Sequence, residues 1–217
     1  WRFKGGYVAK TELYQTIVTD IRQGFWPPGK VLTQQSLAVH YQTSRIPIRD
    51  VLVRLQAEGW LVSQGKAGVK VPKLSAEQAE ELCLIRLQLE PPMLSLAAPA
   101  LNFQILGAAR DCLMLAEQTN LPALTRGDLN WRFHQTLYEA AAKPMLLQIL
   151  NQLHQRVAMY LGFQELALNY QQRSSDEHWQ LLSLLEQGVV PAAVTLLHQH
   201  IAEAGMLLKQ HLAKEPV

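Results

Sequence analysis

The stretch Thr43-Ser44-Arg45-Ile46-Pro47-Ile48-Arg49-Asp50-Val51-Leu52-Val53-Arg54-Leu55 decides how the first third of the chain is read. Ile48, Val51, Leu52 and Leu55 recur at i, i+3, i+4 and i+7, the spacing of a helical face that packs on a core. Arg45 and Arg49, four apart, fall to one side of that stripe and point outward together. Ser44 is placed to cap the helix by accepting a first-turn N–H. Pro47 falls at the third helical position, where no intrahelical hydrogen bond is lost. Such a helix, held by one apolar face and offering two guanidiniums near its N-terminal end, suits a DNA major groove. There Arg forks match the O6/N7 edge of guanine or straddle phosphates. Two arginines on a helix are by themselves an ordinary solvated surface, so the neighbouring segments decide.

Upstream, Thr33 is an N-cap for a short helix through Gln34-Gln35-Ser36-Leu37-Ala38 that ends near Tyr41-Gln42. Before it, Thr11 caps a helix with Leu13, Ile17 and Ile21 inward, closed by Gly24 and the Pro27-Pro28-Gly29 turn. Downstream, Glu58-Gly59-Trp60 ends the long helix. Leu61-Val62-Ser63, Gln64-Gly65-Lys66-Ala67-Gly68 and Val69-Lys70-Val71-Pro72 then read as strand, turn and strand. Helix, turn, helix and a two-stranded wing make a winged helix-turn-helix.

These residues carry a family resemblance. The order Pro27-Pro28-Gly29, Leu32-Thr33, Leu37-Ala38, Ser44-Arg45-Ile46-Pro47-Ile48-Arg49-Asp50-Val51-Leu52, Leu55, Glu58-Gly59-Trp60-Leu61 resembles the GntR (gluconate-repressor) family of bacterial transcription regulators over roughly residues 9–73. The resemblance implies that Arg45 and Arg49 contact bases and phosphates, and that the Gly65-Lys66 wing tip enters the minor groove. Ser44, Thr33, Gln34, Gln35 and Arg54 complete the expected DNA-binding set. Three positions depart from the family: Gln42 stands where a turn glycine is common, Ile46 replaces Thr or Ser, and Gln35 replaces Arg. They bear on the operator sequence and not on the class of function.

Charge divides the chain the same way. Residues 1–73 carry a net +7 and residues 74–217 a net −5, which leaves the chain at +2. A basic head joined to an acidic body fits a polyanion-binding module whose companion avoids phosphate. At 217 residues there is room for two small domains, 1–73 and 74–217, each with its own core. No apolar run approaches the length of a membrane span, and the first residues, Trp1-Arg2-Phe3-Lys4-Gly5-Gly6, lack a signal peptide's apolar segment. Cys83 and Cys112 have no ligand-like spacing and read as reduced, buried thiols, so a cytoplasmic protein without membrane attachment is expected.

After the short linker Pro72-Lys73-Leu74 every segment repeats at the helical period, so the fold class is mainly α with an all-helical bundle behind the winged head. Helices are expected over 75–90, 92–100, 103–118, 122–142, 144–167, 174–187 and 190–212. Pro91-Pro92 should break or bend the first pair, and capping boxes should start helices at Ser75 and Ser174. Three helices each aim one imidazole inward: His134, His178 and His200. Asn130 precedes His134 by one turn. A single inward histidine is usually core, but three on separate helices beside an amide oxygen make a first-row metal site with room for another ligand.

Asn130-Trp131-Arg132-Phe133-His134-Gln135-Thr136-Leu137-Tyr138-Glu139-Ala140-Ala141, Glu177-His178 and His198-Gln199-His200-Ile201 resemble the FCD effector domain of the fatty-acid-regulator branch, over about residues 75–212. The resemblance implies a metal held by one Asp and three His, with a small carboxylate effector completing the shell; here Asn130 stands in the Asp position. Zinc is the first choice, nickel or manganese the others. Arg86 either pairs with an effector carboxylate or makes a surface ion pair, and His154 either lines the pocket or packs in the core.

The leading expectation is a ligand-responsive transcription regulator, a repressor acting as a homodimer on a palindromic DNA operator. The alternative is a metal-dependent enzyme built on the three histidines. That alternative lacks a general base: Asp128 and Glu177 are expected to point away from the site. A third reading is an architectural DNA-binding protein with a purely structural helical half.

Overall fold

The computed structural model describes residues 10–167 and 170–214, and for residue 123 and residues 158–167 the backbone alone. The chain divides into two compact units, 1–73 and 74–217.

In the first unit, α1 (Lys10–Arg22), α2 (Gln34–His40) and α3 (Arg45–Ala57) enclose a core that includes Leu13, Ile17, Leu37, Ile48 and Leu55. A small antiparallel sheet covers one side, in the order β1 (Val31–Leu32), β3 (Val69–Lys70), β2 (Val62–Ser63). The wing therefore has three strands and not two. Val31 pairs with Lys70, and so does Val62 on the opposite edge. A two-residue strand has no period to read, which is why β1 is silent in the sequence. Gly68 makes this pairing possible. Its φ is +115°, and a Cβ there would lie 2.4 Å from the carbonyl oxygen of Leu32. Gln42, at the turn between α2 and α3, takes a left-handed φ of 51°, a conformation that favours glycine.

Thr33 caps α2 in a capping box with Ser36, each side chain bonding the other's backbone N–H. Ser44 differs from expectation. It holds the N-cap position of α3 with extended backbone, but its side chain makes no capping hydrogen bond. The residue is exposed, so water can serve the first-turn N–H groups in its place.

The second unit contains α4 (Ala76–Ala97), α5 (Phe103–Ala116), α6 (Ala123–Glu139), α7 (Pro144–Ala167), α8 (Gln171–Glu186) and α9 (Val190–Lys214). Its core gathers Met93, Leu94, Phe133, Leu137, Tyr138, Leu150, Leu181, Leu197 and Ile201. The expected break at Pro91-Pro92 does not occur: α4 runs through both prolines. Its buried stripe, Ala79, Leu82, Arg86, Glu90, Met93, Leu94 and Ala97, keeps one phase across them. Packing along that stripe outweighs the two lost backbone bonds. Ser95 Oγ donates to the Pro91 carbonyl at 3.1 Å. The expected start of α8 at Ser174 also shifts, to Gln171. Ser174 is buried inside the helix and caps nothing, because the chain enters the bundle one turn earlier than its polar run suggests. At the crossing of α4 and α9, Gly205 meets Cys83 so closely that a Cβ would lie 2.2 Å from Sγ. Both cysteines are free thiols, Cys112 buried and Cys83 half-buried.

Candidate metal centre and nucleic-acid interface

Helix α3 buries Ile48, Val51, Leu52 and Leu55 and exposes Arg45, Ile46 and Arg49 at its N-terminal end. Arg49 stays 65% exposed with Asp50 Oδ1 3.6 Å from its Nη2, and Asp50 is held in turn by Lys10 Nζ at 2.5 Å. Arg54 sits at the other end of the helix and is engaged. Its Nε donates to Glu58 Oε1 at 2.8 Å, and its guanidinium lies 3.8 Å from the Tyr14 ring centre. Gln35 is exposed, Gln34 half-buried, and Gly65 and Lys66 lie on an exposed turn between β2 and β3. Thr33 is occupied as the cap of α2.

In the second unit, α6, α8 and α9 bring His134, His178 and His200 together in the core. One nitrogen from each ring lies within 4.8 Å of those of the other two. His134 Nε2 is 3.0 Å from His178 Nε2. Relative exposures of 2%, 4% and 7% keep all three out of bulk water. Burial is the main cause holding His134 and His178 well below the usual histidine range; for His178 the other two imidazoles act in the same direction. Both rings are therefore neutral, the protonation state that binds a metal. His134 Nδ1 is buried and has no hydrogen-bond partner among the described residues. Three imidazoles crowded into one buried pocket, one with a nitrogen unpartnered among the described residues, fit a borderline divalent cation better than ordinary packing. Asn130 is half-buried on α6, one turn before His134.

Glu177 corrects the expectation that it points away. Its Oε2 lies 2.6 Å from His200 Nδ1, reaching α9 although its neighbour His178 faces the cluster from α8. Adjacent helical residues differ by about 100° in direction; with a second helix packed alongside, that swing still ends at the same imidazole from behind. Asp128 is exposed on α6.

Beside the cluster lies a network that includes Arg86 and His154. Glu90 is fully buried on α4 and accepts three hydrogen bonds. They come from Arg86 Nε at 2.6 Å, from Tyr138 at 2.8 Å and from His154 Nε2 at 3.1 Å. Burial alone would raise the Glu90 carboxyl; Arg86 and His154 overcome it and hold the group well below the carboxylate range. Burial is also the first cause pushing Tyr138 up and His154 down. Trp131 stacks on His154 with ring centres 3.7 Å apart and donates to Asn151 Oδ1 at 3.1 Å. Arg86 is thus neither a surface ion pair nor an unengaged cation. Glu90 went unnoticed in the sequence, although Arg86 and Glu90 stand four apart on the buried stripe of α4, and that spacing was the signal.

A winged helix-turn-helix with exposed arginines on its recognition helix, followed by an all-helical unit, defines a DNA-binding transcription regulator. Comparison with known proteins gives the family. Residues 9–71 match the family described as bacterial regulatory proteins, gntR family, and residues 81–203 match the FCD domain. The chain belongs to the GntR family of bacterial regulators and carries an FCD domain. It is 28% identical over 163 residues to the Nta operon transcriptional regulator of Aminobacter aminovorans, covering 73% of this chain and 74% of that protein. It is 22% identical over 205 residues to the HTH-type transcriptional repressor RspR of Escherichia coli, covering 92% and 88%. The solved structure of E. coli McbR/YncC superposes with a TM-score of 0.76 at 22% identity, covering 94% of this chain and 99% of that one; this likeness is one of fold. These relatives are transcriptional regulators, and they lend nothing to the metalloenzyme alternative. None of the described helices is long and apolar enough to cross a membrane.

Proposed function

We propose that the chain is a repressor that binds a palindromic operator as a homodimer and is controlled by a small organic-acid effector held at a metal in the FCD domain. The observation that carries this reading is the meeting of His134, His178 and His200 ring nitrogens within 4.8 Å in a buried core. These three imidazoles, with the Asn130 amide oxygen, would hold zinc, nickel or manganese. Such an ion supplies a positive anchor for a carboxylate. Arg86 is neutralised by Glu90, so its part is to fix the pocket wall together with His154.

In the first unit, Arg45 and Arg49 reach base edges and phosphates, with Ser44, Thr33, Gln34 and Gln35 beside them and Gly65-Lys66 at the neighbouring groove. Arg54 braces α3 against α1. A two-fold dimer places two such heads about 34 Å apart, one per half-site. Effector binding that shifts the helices carrying the histidines alters that spacing. Coupling of about 1–3 kcal/mol changes operator affinity by roughly 5–150-fold.

The test is operator titration at fixed salt, with zinc present or chelated and with acetate, succinate or citrate as probe acids. Arg49→Ala should weaken binding by about 1–3 kcal/mol per half-site; unchanged affinity removes the recognition-helix assignment. His134→Ala and His200→Ala should keep basal affinity and lose the response to metal and acid. Variants that respond like the wild type place the sensor elsewhere.

A further inference from the structure

As metal ligands, the donors of the candidate centre, three imidazoles and, one turn before His134, an amide, bring no negative charge. A divalent ion among them would keep its full charge in a buried core, an unfavourable arrangement unless an anion stands nearby. One does. Glu177 Oε2 lies 2.6 Å from His200 Nδ1, and its carboxylate is held from two further sides. Tyr170 donates to Oε2 at 3.1 Å and Arg173 Nε to Oε1 at 3.1 Å. Arg173 is itself bound by Glu203 on α9. These contacts leave the carboxylate one orientation, facing the imidazole.

We propose that Glu177 is a positioning residue of the metal centre. It accepts the Nδ1 proton of His200, which fixes the tautomer with the Nε2 lone pair available to the cluster, and it provides from the outer side the negative charge that the inner donors lack. A carboxylate behind a ligating imidazole raises its basicity and locks its ring. The assignment rests on the metal reading above. It goes beyond that reading by adding a residue outside the ligand set and by connecting the buried site to the exposed Arg173 of α8 and, through it, to the half-buried Glu203 of α9.

The experiment measures zinc affinity of the full chain by competition with a chromogenic chelator, and the His200 tautomer of the metal-free protein by long-range proton–nitrogen NMR. Glu177→Gln keeps side-chain volume and removes the charge; Glu177→Ala removes the acceptor as well. Both should bind zinc roughly 10–100-fold more weakly than wild type, and in Glu177→Ala the His200 proton should spread over both ring nitrogens. Wild-type zinc affinity in both variants overturns the proposal, and so does an unchanged tautomer in Glu177→Ala. A wild-type protein that takes up no zinc rejects the metal reading itself, a result seen before any variant is compared.

Discussion

Replacing Glu90 by Gln isolates one term in the stability of the helical unit. The side chain is completely buried and receives Arg86, Tyr138 and His154 at 2.6, 2.8 and 3.1 Å. Gln has nearly the same volume and still offers an oxygen, so packing is preserved and the negative charge alone disappears. Arg86, only 8% exposed, then carries a positive charge with no counter-ion among the described residues. Removing one partner of a buried pair costs about 3–5 kcal/mol. In a unit of this size each kcal/mol lowers the melting temperature by roughly 2–4 °C, so the loss should be roughly 6–20 °C. Adding Arg86→Met to Glu90→Gln removes the stranded cation and should recover much of it, since apolar replacements of whole buried pairs are often neutral. The pH dependence gives a second reading. Glu90 is held well below its ordinary value of 4.5 in the folded state. Its contribution is therefore complete above about pH 4.5 and is lost as the pH falls toward the folded-state value. The gap between wild type and Glu90→Gln should be widest near neutrality and close in acid. The assay is thermal and urea unfolding followed by circular dichroism across pH. A Glu90→Gln protein within about 1 kcal/mol of wild type at pH 7, or a double variant weaker than the single, refutes the argument.

Two further substitutions probe the helix crossing and the ligand set. Gly205→Ala pushes a methyl to 2.2 Å from Cys83 Sγ and 2.6 Å from its Cβ before relaxation, and should destabilise by about 1–3 kcal/mol; Cys83→Ala in the same chain keeps the Cβ clash and should leave most of the loss in place, and a lone Gly205→Ala of wild-type stability would show that the helices part freely. Asn130→Asp adds a negative charge beside the three imidazoles and should tighten zinc, nickel and manganese binding. Equal or weaker binding by calorimetry means that Asn130 is not a ligand.

The local patterns were legible because each is complete within a few turns of chain. The 3.6-residue stripe of Ile48, Val51, Leu52 and Leu55 identifies α3 and the face it buries, which leaves Arg45 and Arg49 outward whatever surrounds them. The inward histidines could be read one helix at a time in the same way. What the stripes could not supply is distance between helices. That His134 and His178 stand 3.0 Å apart depends on how α6 and α8 pack. That Glu177 reaches His200 depends on α9 lying beside it, and helical phase alone argued the opposite. Arg86 reads in the sequence as an effector contact or a surface ion pair; the fold instead sets it with Tyr138 and His154 around the buried Glu90 carboxylate, because desolvation and pairing arise only when the core closes. The uninterrupted α4 has the same origin. Local propensity stops a helix at Pro91-Pro92, and the burial of Met93, Leu94 and Ala97 on the stripe begun at Ala79 carries it through. Sequence by itself settled the recognition helix and the face it buries, the helical character of the second unit and the class of regulator; tertiary packing decided where helices run on and which polar groups meet, since contacts between helices are not written in the period of any one of them.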